Sequence, residues 1–376
     1  MKSEFWHGKR VFLTGHTGFK GSWLSLWLQV LGAEIMGFAL EPPTDPSLFE
    51  LARVANGMTS VIGDVRELDR LQQTMRDFKP EIVIHMAAQP LVRRSYQAPV
   101  ETFAINVMGT VNVLEAIRHT NSVRTVVDIT SDKCYENREW VWGYRETDLL
   151  GGYDPYSGSK ACAELVAATY RNSFFNPSTY SEHDVALATT RAGNVIGGGD
   201  WAADRLVPDI LKALMNGESV LIRNPQATRP WQHVLEPLNG YLMLAEKLYT
   251  QGTAYGGSWN FGPDSSNIET VSWIADHLCS LWDGDLTWTR DAETNHVHEN
   301  TFLKLDCSKA QTKLGWRPKL DLKTTLSWIV DWTKAYQAGY EMRHFTEEQI
   351  QHFMLFSTST AMSPVITSQQ LVAMYD

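Results

Sequence analysis

Short apolar runs alternate with longer segments of helical periodicity along the first half of the chain. Four runs are typical of strands buried on both faces, and they span residues 10–14, 34–39, 81–85 and 125–129. Residues 184–190 and 258–261 indicate two further strands, and helical patterns lie between strands, for example over 20–31 and 99–119. This alternation predicts an α/β fold with a doubly wound parallel sheet.

A glycine triplet follows the first predicted strand and opens the first predicted helix. Gly15, Gly18 and Gly21 allow the backbone to turn tightly and to approach a diphosphate closely. A helix N-terminus also offers free N–H groups and the positive end of its dipole. The triplet therefore predicts a Rossmann-type dinucleotide site, to which we also assign Thr17 and Phe19.

Residues at three further strand ends are expected to contact the same cofactor: Asp64, Val65, Ala87, Ala88, Gln89 and Thr130. Asp64 is placed to accept a hydrogen bond from the adenine amine, with a helix cap as the alternative. The small side chains of Ala87 and Ala88 let the backbone approach the cofactor.

Glu41 is the only acid near the end of the second strand, where an acidic residue normally binds the adenine ribose. It lies late in the loop, so an ordinary loop carboxylate remains the alternative. No arginine follows it to hold a 2′-phosphate, which favours NAD over NADP.

Reactive side chains occur in two elements, Ser131-Asp132-Lys133 and Tyr156-x-x-x-Lys160. Tyr156 and Lys160 are four residues apart and therefore share one helix face. A lysine charge favours the phenolate, so Tyr156 is expected to accept a proton near neutral pH. Asp132 and Lys133 add a second acid/base pair, which an elimination needs and a simple alcohol oxidation does not. The alternative is a capping aspartate followed by a surface lysine.

The sequence changes character after about residue 194, where glycine, proline, tryptophan and arginine become frequent. We expect an NAD-binding Rossmann domain made of residues 1–193 and about 230–262. A smaller, discontinuous C-terminal substrate-binding lobe is expected over about 194–229 and 263–350, followed by a tail over 351–376.

The ordered set of motifs resembles the extended short-chain dehydrogenase/reductase family over residues 8 to about 330. The resemblance rests on the glycine triplet, Asp64-Val65, residues 85–89, Asn106 and Tyr156-x-x-x-Lys160. Within that family the chain resembles the nucleotide-sugar 4,6-dehydratases. Other dehydratases carry Asp-Glu where this chain carries Asp132-Lys133, which is similar to the branch that acts on CDP-glucose in O-antigen lipopolysaccharide and dideoxysugar synthesis.

This resemblance implies oxidation of C4 of CDP-D-glucose by NAD, loss of water across C5 and C6, and the product CDP-4-keto-6-deoxy-D-glucose. Tyr156 would remove the 4-hydroxyl proton, Lys160 would bind the nicotinamide ribose, and Ser131 would hold the 4-oxygen. Lys133 would take the C5 proton and Asp132 would protonate the leaving hydroxyl. The alternatives are a nucleotide-sugar 4-epimerase, a dehydratase for dTDP-glucose or GDP-mannose, and a non-catalytic NAD-binding scaffold.

Cationic and aromatic residues of the second half are candidates for substrate binding. Arg191, Arg205 and Arg229, with Asn194, are expected to hold the diphosphate, because arginine presents a planar fork to phosphate oxygens. Salt bridges are the alternative role for these arginines. Trp201 is expected either to stack on the base or to pack within the small lobe.

Composition limits the partners. The net charge of −10 argues against nucleic-acid and anionic-membrane binding, which need a basic surface. No metal site is expected, because His296 and His298 lack partner ligands in sequence. The polar N-terminus, the absence of a spanning apolar run and four unpaired cysteines predict a cytoplasmic protein. The resemblance implies a homodimer or higher homo-oligomer through the 99–119 helix and the helix that begins near Tyr156.

Overall fold

Parallel strands form the centre of the chain in a computed structural model that describes residues 3–264, 267–282, 286–291 and 303–356. The strands are β1 (Arg10–Thr14), β2 (Glu34–Ala39), β3 (Thr59–Ile62), β4 (Ile82–His85), β5 (Thr125–Ile129), β6 (Ala186–Arg191), β7 (Val195–Ile196), β8 (Val220–Ile222), β9 (Thr228–Pro230), β10 (Gln232–His233), β11 (Gly257–Asn260), β12 (Ile268–Thr270) and β13 (Trp288–Arg290).

One parallel sheet contains seven of these strands in the order β11-β6-β5-β4-β1-β2-β3. The chain winds outward from β1 in both directions, so the order reverses between β1 and β4. Ligands of doubly wound sheets bind at the carboxyl ends of the strands beside this switch point. The predicted α/β fold is therefore confirmed.

Helices cover both faces of the sheet. They are α1 (Ser3–Trp6), α2 (Phe19–Val30), α3 (Leu48–Leu51), α4 (Leu68–Phe78), α5 (Val92–Gln97), α6 (Pro99–Phe103), α7 (Gly109–Arg118), α8 (Pro155–Ser173), α9 (Tyr180–His183), α10 (Leu206–Asn216), α11 (Leu235–Gln251), α12 (Val271–Leu281), α13 (Leu322–Gln337) and α14 (Met342–Leu355). Val11 and Leu13 pack towards α2 and α11, whereas Phe12 packs towards α4 and α7. This alternation follows from the two-residue period of a strand.

Three predicted strands agree with the structure to the residue, and the other three differ by one or two residues at their ends. The apolar pattern gives no run for β3, although a strand end was expected just before Asp64. This strand forms one edge of the sheet, and each of its four residues is half-buried or exposed. It therefore lacks the continuous apolar run of the central strands.

The predicted 99–119 helix is observed as α6, a π-helical turn over Ala104–Met108, and α7. Asn106 lies in that turn, and its side chain accepts from Gln89 N (2.8 Å) and donates to Gln89 O (3.1 Å) and Ser159 Oγ (2.9 Å). Among the described residues, Pro99–Arg118 is also the one helical stretch long and apolar enough to cross a membrane. By length and composition, this stretch contradicts the prediction that the chain contains no spanning apolar run.

A second apolar core lies beside the carboxyl ends of the sheet strands. It joins α10, α12 and one face of α13 through residues such as Ile210, Ile274 and Ile329. Helix α14 instead packs against α2, where the rings of Trp27 and Phe353 are 5.6 Å apart. The proposed division into two lobes stays a prediction, and its boundary at residue 351 falls inside α14.

Candidate active site

The glycine-rich turn after β1 has the backbone geometry that the triplet predicts. Gly15 adopts φ +77°, and a Cβ on it would lie 2.7 Å from Ala87 N, so both conformation and space require glycine. A Cβ on Gly21 would overlap the carbonyl oxygen of Gly15, so α2 packs directly on the turn. Gly18 caps α2 without a side-chain hydrogen bond. The first-turn N–H groups therefore suit the diphosphate of a dinucleotide.

Two other residues assigned to this turn make structural contacts. The Thr17 hydroxyl donates to Leu40 O at 2.8 Å and thereby ties the turn to the end of β2. Phe19 packs against the main apolar core, close to Gly197. Their contact with a cofactor stays a prediction.

The end of β3 is held by neighbouring side chains. Asp64 pairs with Arg66 (Nε–Oδ2 2.9 Å), and this hydrogen bond holds the pKa of the Asp64 carboxyl below its ordinary value. Val65 is buried, and its carbonyl accepts from Asn112 Nδ2 at 3.0 Å. Glu41 is exposed after β2. Adenosine binding by Asp64 or Glu41 stays a prediction.

The turn after β4 is fixed by Thr14. Its hydroxyl oxygen accepts from Met86 N (3.0 Å) and Ala87 N (3.1 Å), which presents half-buried Ala87 and Ala88 beside the glycine turn. The Gln89 side chain donates to Thr102 Oγ1 at 3.0 Å. The Gln89 side chain therefore fastens this turn to α6.

Local capping places the predicted tyrosine–lysine pair. Asp154 caps α8, with its carboxylate accepting from Ser157 N (2.9 Å) and Ser157 Oγ (2.6 Å), and Pro155 occupies the first helical position. Tyr156 and Lys160 then lie one turn apart on a buried face. Lys160 Nζ donates to Ile129 O at 3.1 Å, at the carboxyl end of β5.

Burial raises the pKa of the Tyr156 phenol to about 12. The Ser131 hydroxyl and the Arg205 charge lower this pKa, whereas Asp132 raises it. Arg205 is a cation that the sequence did not link to Tyr156, and the predicted effect of Lys160 on the Tyr156 phenol stays a prediction.

Ser131, Asp132 and Lys133 form a tight turn after β5. The Ser131 hydroxyl donates to Asp132 Oδ1 (3.0 Å) and accepts from Lys133 N (3.2 Å). Asp132 is 3% exposed, and burial raises its pKa against the opposing charges of Lys133 and Arg229. A carboxyl of raised pKa keeps its proton to a higher pH than a free one, which suits a general acid.

Arg191 is the clearest correction among the predicted substrate residues. Its guanidinium is 2% exposed and pairs with Glu164 through Nε–Oε1 (2.9 Å) and Nη2–Oε2 (2.8 Å). The hydroxyl of Thr130, predicted to bind the cofactor, donates to the same carboxylate at 2.6 Å. Of the two roles proposed for Arg191, the salt bridge is therefore the observed one, and cofactor contact by Thr130 stays a prediction.

Two of the other predicted diphosphate residues carry charges that act on the reactive side chains. Arg205 pairs with Asp200 (2.9 Å) at the start of α10, and its charge reaches Tyr156. Arg229 lies on β9, and its charge reaches Asp132. Asn194 follows β6 in a left-handed conformation (φ +46°). Their contact with substrate stays a prediction.

Trp201 packs against α13 instead of presenting a free face for a base. Its ring lies 5.1 Å from Tyr336 and 6.4 Å from Trp332, both edge to face. Of the two roles proposed for this residue, packing is therefore the observed one.

A cavity of about 310 Å³ adjoins the reactive turn. It is lined by Asp132, Gly143, Gly193, Pro230, Gly262, Pro263, Asp264, Ile268, Lys304, Leu305, Asp306, Cys307, Ser308 and Gln311. A Cβ on Gly193 would overlap the Asp132 carboxyl, so glycine gives this acid its place. Gly193 was not among the predicted site residues, and its signal in the sequence is a glycine two residues beyond β6.

Lys20 was also missed. It lies inside the glycine-rich turn, and its charge interacts with Lys160, Arg205 and Asp132. A lysine among small and apolar residues of that turn is the available sequence signal. Over the described parts of the chain, no group of three potential ligands could hold a metal ion; His296 and His298 lie outside those parts.

Comparison with solved structures finds the same fold in nucleotide-sugar enzymes. The UDP-glucose 4-epimerase of Thermotoga maritima aligns with a TM-score of 0.75 at 20% identity, covering 87% of this chain and 99% of that one. The dTDP-glucose 4,6-dehydratase of Bacillus anthracis, solved with NAD, aligns with a TM-score of 0.71 at 18% identity, covering 89% and 100%.

Sequence comparison gives a nearer relative. The CDP-glucose 4,6-dehydratase of Salmonella typhimurium is 57% identical over 358 residues, which cover 95% of this chain and 99% of the relative. The dTDP-glucose 4,6-dehydratase of Streptomyces antibioticus is 26% identical over 76% of this chain and 78% of its own length. The model of the family described as GDP-mannose 4,6 dehydratase matches residues 12–328. The chain therefore belongs to this dehydratase family.

Proposed function

We propose that this chain is an NAD-dependent CDP-glucose 4,6-dehydratase, which converts CDP-D-glucose into CDP-4-keto-6-deoxy-D-glucose and water. The observation that carries the proposal is the second acid/base pair, Asp132-Lys133, beside Tyr156. The name of the 57% identical Salmonella relative supports the same activity and the same nucleotide.

The glycine-rich turn and the free first-turn N–H groups of α2 would hold the cofactor diphosphate, and Lys160 would hold the nicotinamide ribose. When bound, NAD would supply the redox chemistry for hydride transfer between C4 and C6 of the hexose. The residues of this chain are then responsible for proton movements and for orientation.

Tyr156 accepts the proton of the 4-hydroxyl group. The Ser131 hydroxyl and the Arg205 charge assist, because they lower the pKa of the Tyr156 phenol. A ketone at C4 acidifies the C5 proton, which Lys133 removes. Asp132, whose pKa burial raises, gives its proton to the leaving 6-hydroxyl. Lys133 then returns a proton to C5. Each general acid or base of this kind contributes about 10²–10⁴-fold.

Isotope labelling tests the reaction type. In heavy water, the proposed dehydratase incorporates solvent deuterium at C5 of the product and moves the C4 hydrogen to C6. Inversion at C4 without label at C5 would identify a 4-epimerase and end the proposal. The absence of any turnover with a folded, NAD-loaded chain would favour the non-catalytic scaffold.

Side-by-side kinetics test the nucleotide. We expect kcat/KM for CDP-glucose to exceed the values for dTDP-glucose, UDP-glucose and GDP-mannose. A preference for any of these three over CDP-glucose would contradict the assignment.

We further propose a homodimer or higher homo-oligomer formed through the surface of α6, α7 and α8. Apolar side chains on this surface are exposed, including Val100 (82%), Met108 (51%) and Leu165 (56%). Contiguous exposed apolar side chains are typical of interaction sites. Light scattering of the purified chain tests the proposal, and a monomer at all concentrations would refute it.

A further inference from the structure

A row of polar side chains crosses the central sheet just before its strands end at the predicted active site. Residues of five adjacent strands pair in register along this row: Thr14 on β1, His85 on β4, Asp128 on β5, Thr189 on β6 and Ser258 on β11. Residues paired across a parallel sheet project from the same face. Helices α7 and α8 cover that face, because Thr110 on α7 contacts His85 and Glu164 on α8 contacts Thr189. The row therefore lies between the sheet and these two helices.

Asp128 has an unsatisfied polar atom within this row. The ring of its neighbour His85 is hydrogen-bonded on both sides, to Thr14 Oγ1 through Nδ1 (2.6 Å) and to Thr110 Oγ1 through Nε2 (3.3 Å). In contrast, Oδ2 of Asp128 is buried and has no hydrogen-bond partner within the part of the chain that the structure describes. A buried carboxylate is unfavourable unless a nearby cation compensates its charge.

Lys160 on α8 supplies that cation. It is buried, and its Nζ donates to the carbonyl oxygen of the residue after Asp128 at 3.1 Å. Glu164, one helical turn further along α8, accepts from Thr130 (2.6 Å) and Thr189 (2.8 Å). Thr130 follows two residues after Asp128, and Thr189 is the partner of Asp128 on β6. Asp128 therefore faces the turn of α8 between Lys160 and Glu164.

Burial disfavours the charge of both side chains, and each supports the charge of the other. Burial lowers the pKa of Lys160, and Asp128 is the strongest influence opposing this effect. Burial raises the pKa of Asp128 to about 7, and the charge of Lys160 opposes the rise. Above pH 7 Asp128 is therefore ionised. It can then hold Lys160 protonated, because a neighbouring opposite charge favours the charged form of an amine.

The other titratable groups around Lys160 leave Asp128 as its available anion. Glu164 already pairs with Arg191. His85 is neutral, because burial and the charge of Lys160 lower its pKa to about 3. Two further groups are not anions: the Cys134 thiol, whose pKa burial raises, and the Lys20 amine on α2.

We propose that Asp128 is a positioning residue for the oxidation at C4, whose carboxylate keeps Lys160 protonated. This inference rests on the proposed NAD-dependent function. In that step the 4-hydroxyl proton passes to Tyr156 and hydride passes from C4 to NAD, while Asp128 and Lys160 keep their protonation states. Without the carboxylate, the buried amine loses its proton at a lower pH. Its support for the Tyr156 phenolate and for the nicotinamide ribose is then lost at that lower pH.

The substrate analogue CDP-6-deoxy-D-glucose isolates the oxidation, because it has a 4-hydroxyl group to oxidise but no 6-hydroxyl group to lose. The rate at which the NAD-loaded chain forms reduced nicotinamide is measured by absorbance from about pH 6 to pH 10. Because elimination by Asp132 and Lys133 is not involved, the fall in rate at high pH reports loss of the Lys160 proton. Asp128→Asn keeps the shape of the side chain without its charge, and should move this fall to lower pH by about one unit or more. Above both falls, its rate should be about 10-fold below the wild-type rate.

Two further variants separate charge from packing. Asp128→Ser is also uncharged but smaller, and it should show the same shift. Glu236→Gln is the matched control, because Glu236 is also a buried carboxyl whose pKa burial raises to about 7, but it lies on α11. Its pH profile should match that of the wild type.

A second measurement needs no catalysis. In a chain labelled with carbon-13 at the aspartate carboxyls, the NMR signal that is absent from Asp128→Asn reports the titration of Asp128. Lys160→Met should raise the midpoint of this titration by about one unit or more, because the neighbouring cation is lost.

An unshifted pH profile in both Asp128 variants would overturn the proposal. A rate lowered equally at every pH would also overturn it, because that result indicates a structural role alone, and so would an unaltered Asp128 midpoint in Lys160→Met. Failure of the wild-type chain to form reduced nicotinamide would instead count against the proposed function, whereas the carboxyl titration tests the Asp128–Lys160 pair without it.

Discussion

Glu164 and Arg191 form an ion pair with two parallel hydrogen bonds, and both side chains are 2% exposed. The pair joins α8, which carries Tyr156 and Lys160, to the carboxyl end of β6. Burial opposes ionisation of Glu164, but the hydrogen bonds and charge of Arg191 hold the pKa of its carboxyl below the ordinary value. The hydroxyl of Thr130 donates to the same carboxylate. The ion pair and the Thr130 hydrogen bond thereby hold α8 and the reactive residues after β5 in fixed positions relative to each other.

Replacement of Arg191 should therefore reduce stability more than substrate affinity. Arg191→Met leaves a buried carboxylate without its cation, which costs about 3–5 kcal/mol. Urea unfolding at fixed protein concentration measures this loss. The double variant Glu164→Gln/Arg191→Met removes both charges and should recover most of it. An unaltered unfolding free energy with a raised KM for CDP-glucose would restore the diphosphate role predicted from sequence.

Gly193 should be essential for elimination but not for folding. A methyl group at this position overlaps the Asp132 carboxyl, so Gly193→Ala must displace the proposed acid. Misplacement by about 1 Å can cost about 10²-fold in rate. We expect kcat to fall by that order while reduced nicotinamide still accumulates from C4 oxidation.

Gly158→Ala is the control for this prediction. Gly158 lies on α8 beside the catalytic residues, and the nearest atom to an added Cβ is Phe103 Cζ at 3.8 Å. Its turnover should match the wild type. If Gly193→Ala also turned over at the wild-type rate, Asp132 would not need the space that glycine leaves at position 193.

Sequence predicted the parts of the site that depend on local spacing. The order of strands and helices, the glycine turn and the separation of Tyr156 from Lys160 all follow from periodicity over a few residues. Asp132 and Lys133 were located because they directly follow a buried strand, and strand ends meet at one edge of a parallel sheet.

Sequence could not predict which distant residue each side chain contacts. Arginine commonly binds phosphate, but in the folded chain Arg191 pairs with Glu164 on α8. Trp201 has the shape of a base-stacking residue, but α13 brings Trp332 and Tyr336 against it. Tertiary contacts determine both roles, and the local sequence pattern does not predict those contacts.

Lys133 should affect elimination without affecting the oxidation at C4. Lys133→Met removes the proposed C5 base, so product formation should slow by about 10²–10⁴-fold. Reduced nicotinamide should accumulate, and deuterium exchange at C5 should disappear. Tyr156→Phe, which removes the proposed 4-hydroxyl base, should show neither reduced nicotinamide nor product. Normal turnover of Lys133→Met would place the C5 base elsewhere.

Glu236 lies outside the reactive turn, and its ionisation is expected to make the unfolding free energy depend on pH. It lies on α11 and is 1% exposed, and its Oε1 accepts from Lys319 N (2.8 Å) and Leu320 N (2.7 Å). Oε2 has no hydrogen-bond partner among the residues that the structure describes. Burial raises the pKa of this carboxyl from 4.5 to about 7.

The folded chain therefore holds the Glu236 proton more tightly than the unfolded chain. The resulting stabilisation is fully present below pH 4.5 and is lost as pH rises through 7. Glu236→Gln keeps Oε1 as an acceptor and removes the ionisation. Between pH 5 and pH 8, the unfolding free energy of this variant should gain about 2–3 kcal/mol relative to wild type. Urea unfolding at both pH values measures this gain, and the exposed Glu218→Gln should show none. A difference in unfolding free energy between Glu236→Gln and wild type that stays constant with pH would mean that Glu236 has the same pKa in the folded and unfolded chain. The loss of stability at high pH would then arise from another buried carboxyl such as Asp128, whose pKa burial also raises to about 7.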